Sequence, residues 1–146
     1  MKLLRRFLDL GPRDQWATAE AAVTLAAIQG LLGGAPERAW QELVRRACTD
    51  PGADAEQVGA GEPLERVLRA VRRVSARLSR TTCLGRALTA WVMLRKRGIH
   101  AVVRLGVSKA PENGFGAHAW LEYGGRAVLG EPEAGQYVAF RGIGSA

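Results

Sequence analysis

The sequence predicts an α+β fold, with N-terminal helices followed by a small antiparallel sheet, and three observations carry that prediction. Apolar residues recur at helical spacing up to about residue 97, and from Gly98 onward the period changes to 2. Helices and strands are therefore segregated along the chain, which excludes a doubly wound α/β sheet. Gly124-Gly125 between two alternating segments is the signal of a two-residue hairpin turn of type I′ or II′.

Taken in order, Leu4, Phe7 and Leu8 form a short apolar stripe that Gly11-Pro12 breaks. An Ala-rich helix is expected over 14–32, ended by Gly33-Gly34, and a further helix from Pro36 through Trp40, Leu43, Val44 and Ala47. The stretch 50–63 (DPGADAEQVGAGEP) mixes Gly, Pro and acidic residues without periodicity and reads as an exposed loop. Leu64, Val67, Leu68, Val71, Val74 and Leu78 then give a helix whose other face is Arg. Ser79 to Thr82 interrupt that pattern. A second helix over 83–97 follows, with Thr81 or Thr82 as N-cap and Gly98 as C-terminal cap, so Cys83 falls in its first turn. Strands are expected at 100–107, 116–123, 126–131 and 136–140.

A chain of 146 residues buries one core, so one domain is expected over 1–146, with a helical part at 1–62 and a catalytic core at 63–146. With 47% hydrophobic and 24% charged residues the composition lies far from that of a disordered chain. The net charge of +7 raises the question of nucleic acid, but the Arg-rich face (Arg66, Arg69, Arg72, Arg73, Arg77, Arg80) has no interleaved aromatics to stack bases. It reads as a solvated face or a surface for an acidic peptide or protein. Two cysteines and two histidines exclude a disulfide framework and a metal centre, and no cofactor is expected. The N-terminus lacks the apolar run and cleavage site of a signal peptide, and 17–32 is too short and too interrupted to span a bilayer. The expected location is the cytoplasm, where thiols stay reduced.

Cysteine is a nucleophile as thiolate, and a helix start favours that form through its unpaired N–H groups and dipole. Cys83 has that setting, and N–H groups beside it can hold an oxyanion. His118, on a strand among Gly116, Ala117 and Ala119, is the candidate base. If Gly124 and Gly125 are the turn, Tyr123 faces Arg126, and counting outward sets Glu122 opposite Ala127, Trp120 opposite Leu129 and His118 opposite Glu131. Opposed residues share a face with Cβ atoms roughly 4.5 to 5.5 Å apart, so Glu131 is expected to hold the His118 ring. Glu122 is on that face too, but roughly 13 Å along the strand. Glu133, or no acid at all, remains an alternative. Cys48 and His100 read as structural.

The segments CLGRALTAWVMLRKRGIHAVVRLGV and FGAHAWLEYGGRAVLGE resemble the transglutaminase-like leader peptidases of lasso-peptide biosynthesis, as does LLRRFLDL near the N-terminus. The resemblance covers most of the chain and is weakest over 33–62. It implies a transglutaminase-like, papain-like cysteine protease core with Cys83 and His118 as the catalytic pair. The family's third member is typically an Asp about a dozen residues after the His; here Gly130 stands at that spacing and Glu131 follows. The implied activity is removal of the leader from a precursor peptide, with a separate leader-recognition protein and a lasso cyclase as partners. Acyl transfer to an amine, and a non-catalytic scaffold binding precursor and cyclase, are the alternatives.

Overall fold

The computed structural model describes residues 5, 7–52, 60–78, 80–108, 116–131 and 137–139. Four helices, α1 (Pro12–Gly34), α2 (Glu37–Cys48), α3 (Gly61–Ser75) and α4 (Cys83–Arg95), lead into four strands, β1 (Val102–Ser108), β2 (Ala117–Tyr123), β3 (Arg126–Leu129) and β4 (Tyr137–Ala139). The strands form one antiparallel sheet in the order β3-β2-β1-β4, so the α+β expectation holds. Leu4 of the expected N-terminal stripe, residues 53–59 of the expected loop, and Glu133 lie outside the described residues.

Pro12 occupies the first turn of α1, where its missing N–H costs nothing. Ala17, Ala21, Leu25 and Ile28 follow at helical spacing and bury one face. The helix runs through Gly33 and Gly34 rather than stopping at them. What ends it is Pro36, because the residue before a proline is driven out of the α region, and Ala35 is extended (φ −86°, ψ 156°). In α3 the expected stripe buries Leu64, Val67, Leu68, Val71 and Val74, but the helix stops at Ser75 and Leu78 is 47% exposed. Between Ser75 and Thr81 the chain tightens into turns closed by Leu78 N–H to Ser75 O and Thr81 N–H to Leu78 O. The helix starts at Gly61, two residues before Pro63, which a first turn tolerates.

The Arg face of α3 is more engaged than a solvated face would be. Arg66 and Arg69 pair with Glu62 and reach Asp14 on α1, and Arg72 donates to the Val128 carbonyl on β3 at 2.6 Å. These residues fasten α3 to its neighbours on both sides.

α4 is the centre of the molecule. Gly85, Ala87, Leu88, Thr89, Ala90, Trp91, Met93 and Leu94 are all buried, a helix enclosed by α1 and α3 on one side and by the sheet on the other. The helix ends at Arg95, two residues earlier than expected. Gly98 (φ +69°) closes it as predicted: Gly98 N–H bonds Arg95 O and Ile99 N–H bonds Leu94 O, the paired bonds of a left-handed glycine cap. From there β1 runs back along α4.

An unforeseen contact ties α2 to this end of α4. Asp50 falls in the predicted exposed loop, yet its carboxylate is fully buried, with Oδ1 at 2.9 Å from His100 Nδ1 and 3.3 Å from Arg95 Nη1. His100 is thus structural in the sense expected, as partner of a buried carboxylate.

Glu20 on α1 pairs with Arg97 and Lys96 beyond α4. Burial pushes its carboxyl up, but the hydrogen bond and charge of Arg97, aided by Lys96, outweigh that and hold it below the usual range. A carboxyl depressed in the folded state adds stability above its unfolded value, and loses it as pH falls through the folded value. Glu20→Gln is therefore expected to lower the urea midpoint at pH 7, with wild type and variant converging in acid; a pH-independent gap would contradict the pairing.

Candidate active site

Cys83 is the first residue of α4, half-buried, and its thiol is free. Thr82 is the N-cap: its backbone is extended and its Oγ1 accepts the Gly85 N–H at 3.0 Å. The first main-chain helical bond runs from Arg86 N–H to Thr82 O. Helix geometry leaves the N–H groups of Cys83 and Leu84 without intrahelical partners, directed outward beside the thiol.

His118 is the second residue of β2, opposite Gly106 on β1. The connection 96–101 turns the chain after α4, and α4 packs against both β1 and β2. Cys83 and His118 are carried by two elements, α4 and β2, that pack against each other. Strand alternation sets His118 on the face of Arg104, Gly106, Trp120 and Glu122, whereas Val103, Leu121 and Leu129 belong to the core beneath α4. Among the described residues no hydrogen bond joins Cys83 to His118.

The hairpin departs from the expected register, and the departure changes the partner of His118. Gly124 and Gly125 both have positive φ (+56° and +75°), a type I′ turn, and Tyr123↔Arg126 and Glu122↔Ala127 pair as predicted. A bulge then intervenes, and Leu129 opposes Leu121 instead of Trp120. The physical reason is burial. Regular pairing would turn Leu129 to the Trp120 face; the extra residue lets it join Leu121 in the core, where they are 2% and 0% exposed, an exchange worth about 1.5–3 kcal/mol for a leucine. One inserted residue reverses the faces beyond it, so the predicted opposition of His118 and Glu131 does not form. Glu131 is exposed, and among the described residues no hydrogen bond joins it to His118.

The Gly130 carbonyl takes that place. His118 Nε2 lies 2.7 Å from Gly130 O, and because a carbonyl can only accept, Nε2 carries the hydrogen and Nδ1 of the neutral ring keeps its lone pair. Gly130 adopts φ +71°, a conformation that glycine tolerates best. Tyr137 on β4 lies against the ring (centroids 4.9 Å apart), and Trp120 stacks at 6.1 Å. The Trp120 indole in turn donates to Glu122, which is held by Arg104, so Glu122 anchors this aromatic group.

A groove of about 550 Å³ between α2 and β1 has Trp40, Val44 and Leu105 in its lining and does not include Cys83 or His118. No three His, Cys, Asp or Glu side chains gather to hold a metal among the described residues, and no described helix is long and apolar enough to cross a membrane.

Cys48, the last residue of α2, provides an internal comparison. Burial pushes its thiol up, and the opposing charge of Arg104 does not cancel that. With less Cys48 thiolate at neutral pH, iodoacetamide is expected to label Cys83 first, with Cys48 reacting only as the pH is raised. Peptide mapping after brief labelling at pH 7 checks this; preferential modification of Cys48 would remove the case for Cys83.

No curated protein and no solved structure matches the chain. A family profile described as transglutaminase-like superfamily matches residues 13–142, from the first turn of α1 past the end of β4 and so across the whole candidate site. Helices leading into an antiparallel sheet, with a cysteine opening the central helix, agree with that match, and the chain belongs to the transglutaminase-like superfamily.

Proposed function

We propose that this domain is a cysteine peptidase with Cys83 as nucleophile and His118 as base. The observation that carries the reading is the His118 Nε2–Gly130 O bond, which in the neutral ring leaves Nδ1 with its lone pair, and the placing of Cys83 at the start of α4 supports it. In the proposed cycle Nδ1 takes the thiol proton and Sγ attacks the scissile carbonyl. The Cys83 and Leu84 N–H groups hold the oxyanion. The C–N bond then breaks, the leaving amine takes the proton from His118, and water, activated by the same nitrogen, hydrolyses the thioester. Gly130 O fills the orienting role expected of Glu131.

The proposed substrate is a lasso-peptide precursor cut between leader and core in the cytoplasm, with a leader-recognition protein presenting it and a cyclase acting on the freed core. The segments 83–107 and 115–131 support that assignment through their resemblance to lasso leader peptidases. A second reading, acyl transfer to an amine, draws on the superfamily match, because the same thioester serves both outcomes. Product mass separates them: a free acid for hydrolysis, an amide for transfer.

Mass spectrometry of a candidate precursor incubated with the protein and its recognition partner tests the proposal. Wild type is expected to yield separate leader and core, and Cys83→Ala to leave the precursor intact. His118→Ala should lose about 10²–10⁴-fold in rate. Glu131→Gln should stay within about two-fold, as an exposed side chain away from the chemistry does. Cleavage retained by Cys83→Ala would sink the assignment, and collapse of activity in Glu131→Gln would return the orienting role to that carboxylate.

A further inference from the structure

The start of α4 is held by a residue more than fifty positions earlier in the chain. Gln29, half-buried near the C-terminal end of α1, donates from Nε2 to the Arg80 carbonyl at 2.9 Å. Its Oε1 lies 3.4 Å from the Thr82 hydroxyl. Since that hydroxyl accepts the Gly85 N–H, its single hydrogen is free to be given to Gln29. One amide therefore grips both sides of Thr81 and fixes the direction of the hydroxyl that caps the helix.

Gly85 shows how closely this contact is fitted. A Cβ at that position would stand 2.8 Å from Gln29 Oε1, closer than a carbon and an oxygen settle, so the amide would have to shift, and a tight 3.0 Å from Thr82 Oγ1. Glycine is a poor residue for a helix interior, so its presence in the first turn has a local cause, and the room it leaves is taken by the Gln29 amide. Gln29, Thr82 and Gly85 thus converge from two separate helices on one point, two residues from the Cys83 thiol.

We propose that Gln29 is a positioning residue for Cys83: by clamping Arg80 and Thr82 it sets the rotamer of the N-cap and the orientation of the first-turn N–H groups around the nucleophile. The proposal rests on Cys83 being that nucleophile. Gln29 itself touches neither the thiol nor the reacting atoms.

The test uses iodoacetamide on the full chain, with Cys48 as an internal reference. Gln29→Ala, folded by circular dichroism, is expected to slow Cys83 labelling at pH 7 by roughly three-fold or more while leaving Cys48 unchanged. Gln29→Met keeps the bulk without the amide and is expected to do the same, which covers the case in which the alanine variant fails to fold. Gly85→Ala should reproduce the loss by displacing the amide, and adding Gln29→Ala to it should cost nothing further, the non-additivity of two changes acting on one contact. Where a cleavage assay exists, kcat should fall with KM unchanged. Equal labelling of Cys83 in wild type and both Gln29 variants, or strictly additive effects with Gly85→Ala, overturns the role of Gln29 and leaves the peptidase reading standing. An unreactive Cys83 in the wild type overturns both.

Discussion

The whole site depends on the burial of α4. A helix with most of its residues buried has little freedom to shift or rotate, and its first turn comes near the surface, with Thr82 exposed and Cys83 half-buried. The core that holds α4 in place thereby fixes the bearing of Cys83, the residue that opens it. The sheet inherits its position from the same helix: the glycine cap at Gly98 redirects the chain so that β1 doubles back, and β2 follows in antiparallel register. The sequence from Cys83 to His118 is spanned by two reversals, one after α4 and one between β1 and β2.

Much of this layout is legible in the residues because its signals are local. A hydroxyl before a helical run, a glycine after it, a pair of glycines between alternating strands and an apolar stripe opposite arginines each declare themselves within a few positions, and each is found where it was expected, save that the stripe ends before Leu78. What the sequence does not announce are contacts between elements. Asp50 reads as a loop aspartate until Arg95 and His100 are folded over it. Gln29 is a polar residue on an Ala-rich helix until Arg80 and Thr82 arrive beside it. The hairpin bulge is the instructive case: the turn was readable and the first two pairs followed from it, but the choice between regular pairing and a bulge was decided by whether Leu129 or Val128 gained the core, a question about the far side of the sheet.

The arginines illustrate the same division. Their abundance sets the charge of the chain, yet Arg66 and Arg69 are engaged with Asp14 on α1 and Arg72 with a main-chain carbonyl of β3. The exposed pairs contribute little individually, so their value lies in orientation, holding α3 against α1 and the edge strand. A basic composition here describes how helices are fastened together before it describes any partner.

The contact between His118 and the Gly130 carbonyl has a genetic consequence. A side-chain acceptor can be erased by a single codon change, and it ceases to be charged in acid; a main-chain acceptor does neither. No substitution at position 130 or 131 deletes that oxygen, although a bulkier residue at 130 would strain the backbone that aims it. The alignment of the imidazole is instead written in the length of β3, because the bulge decides which peptide unit arrives opposite the ring. Loss or gain of one codon in this short strand is the class of mutation to which the site is most exposed.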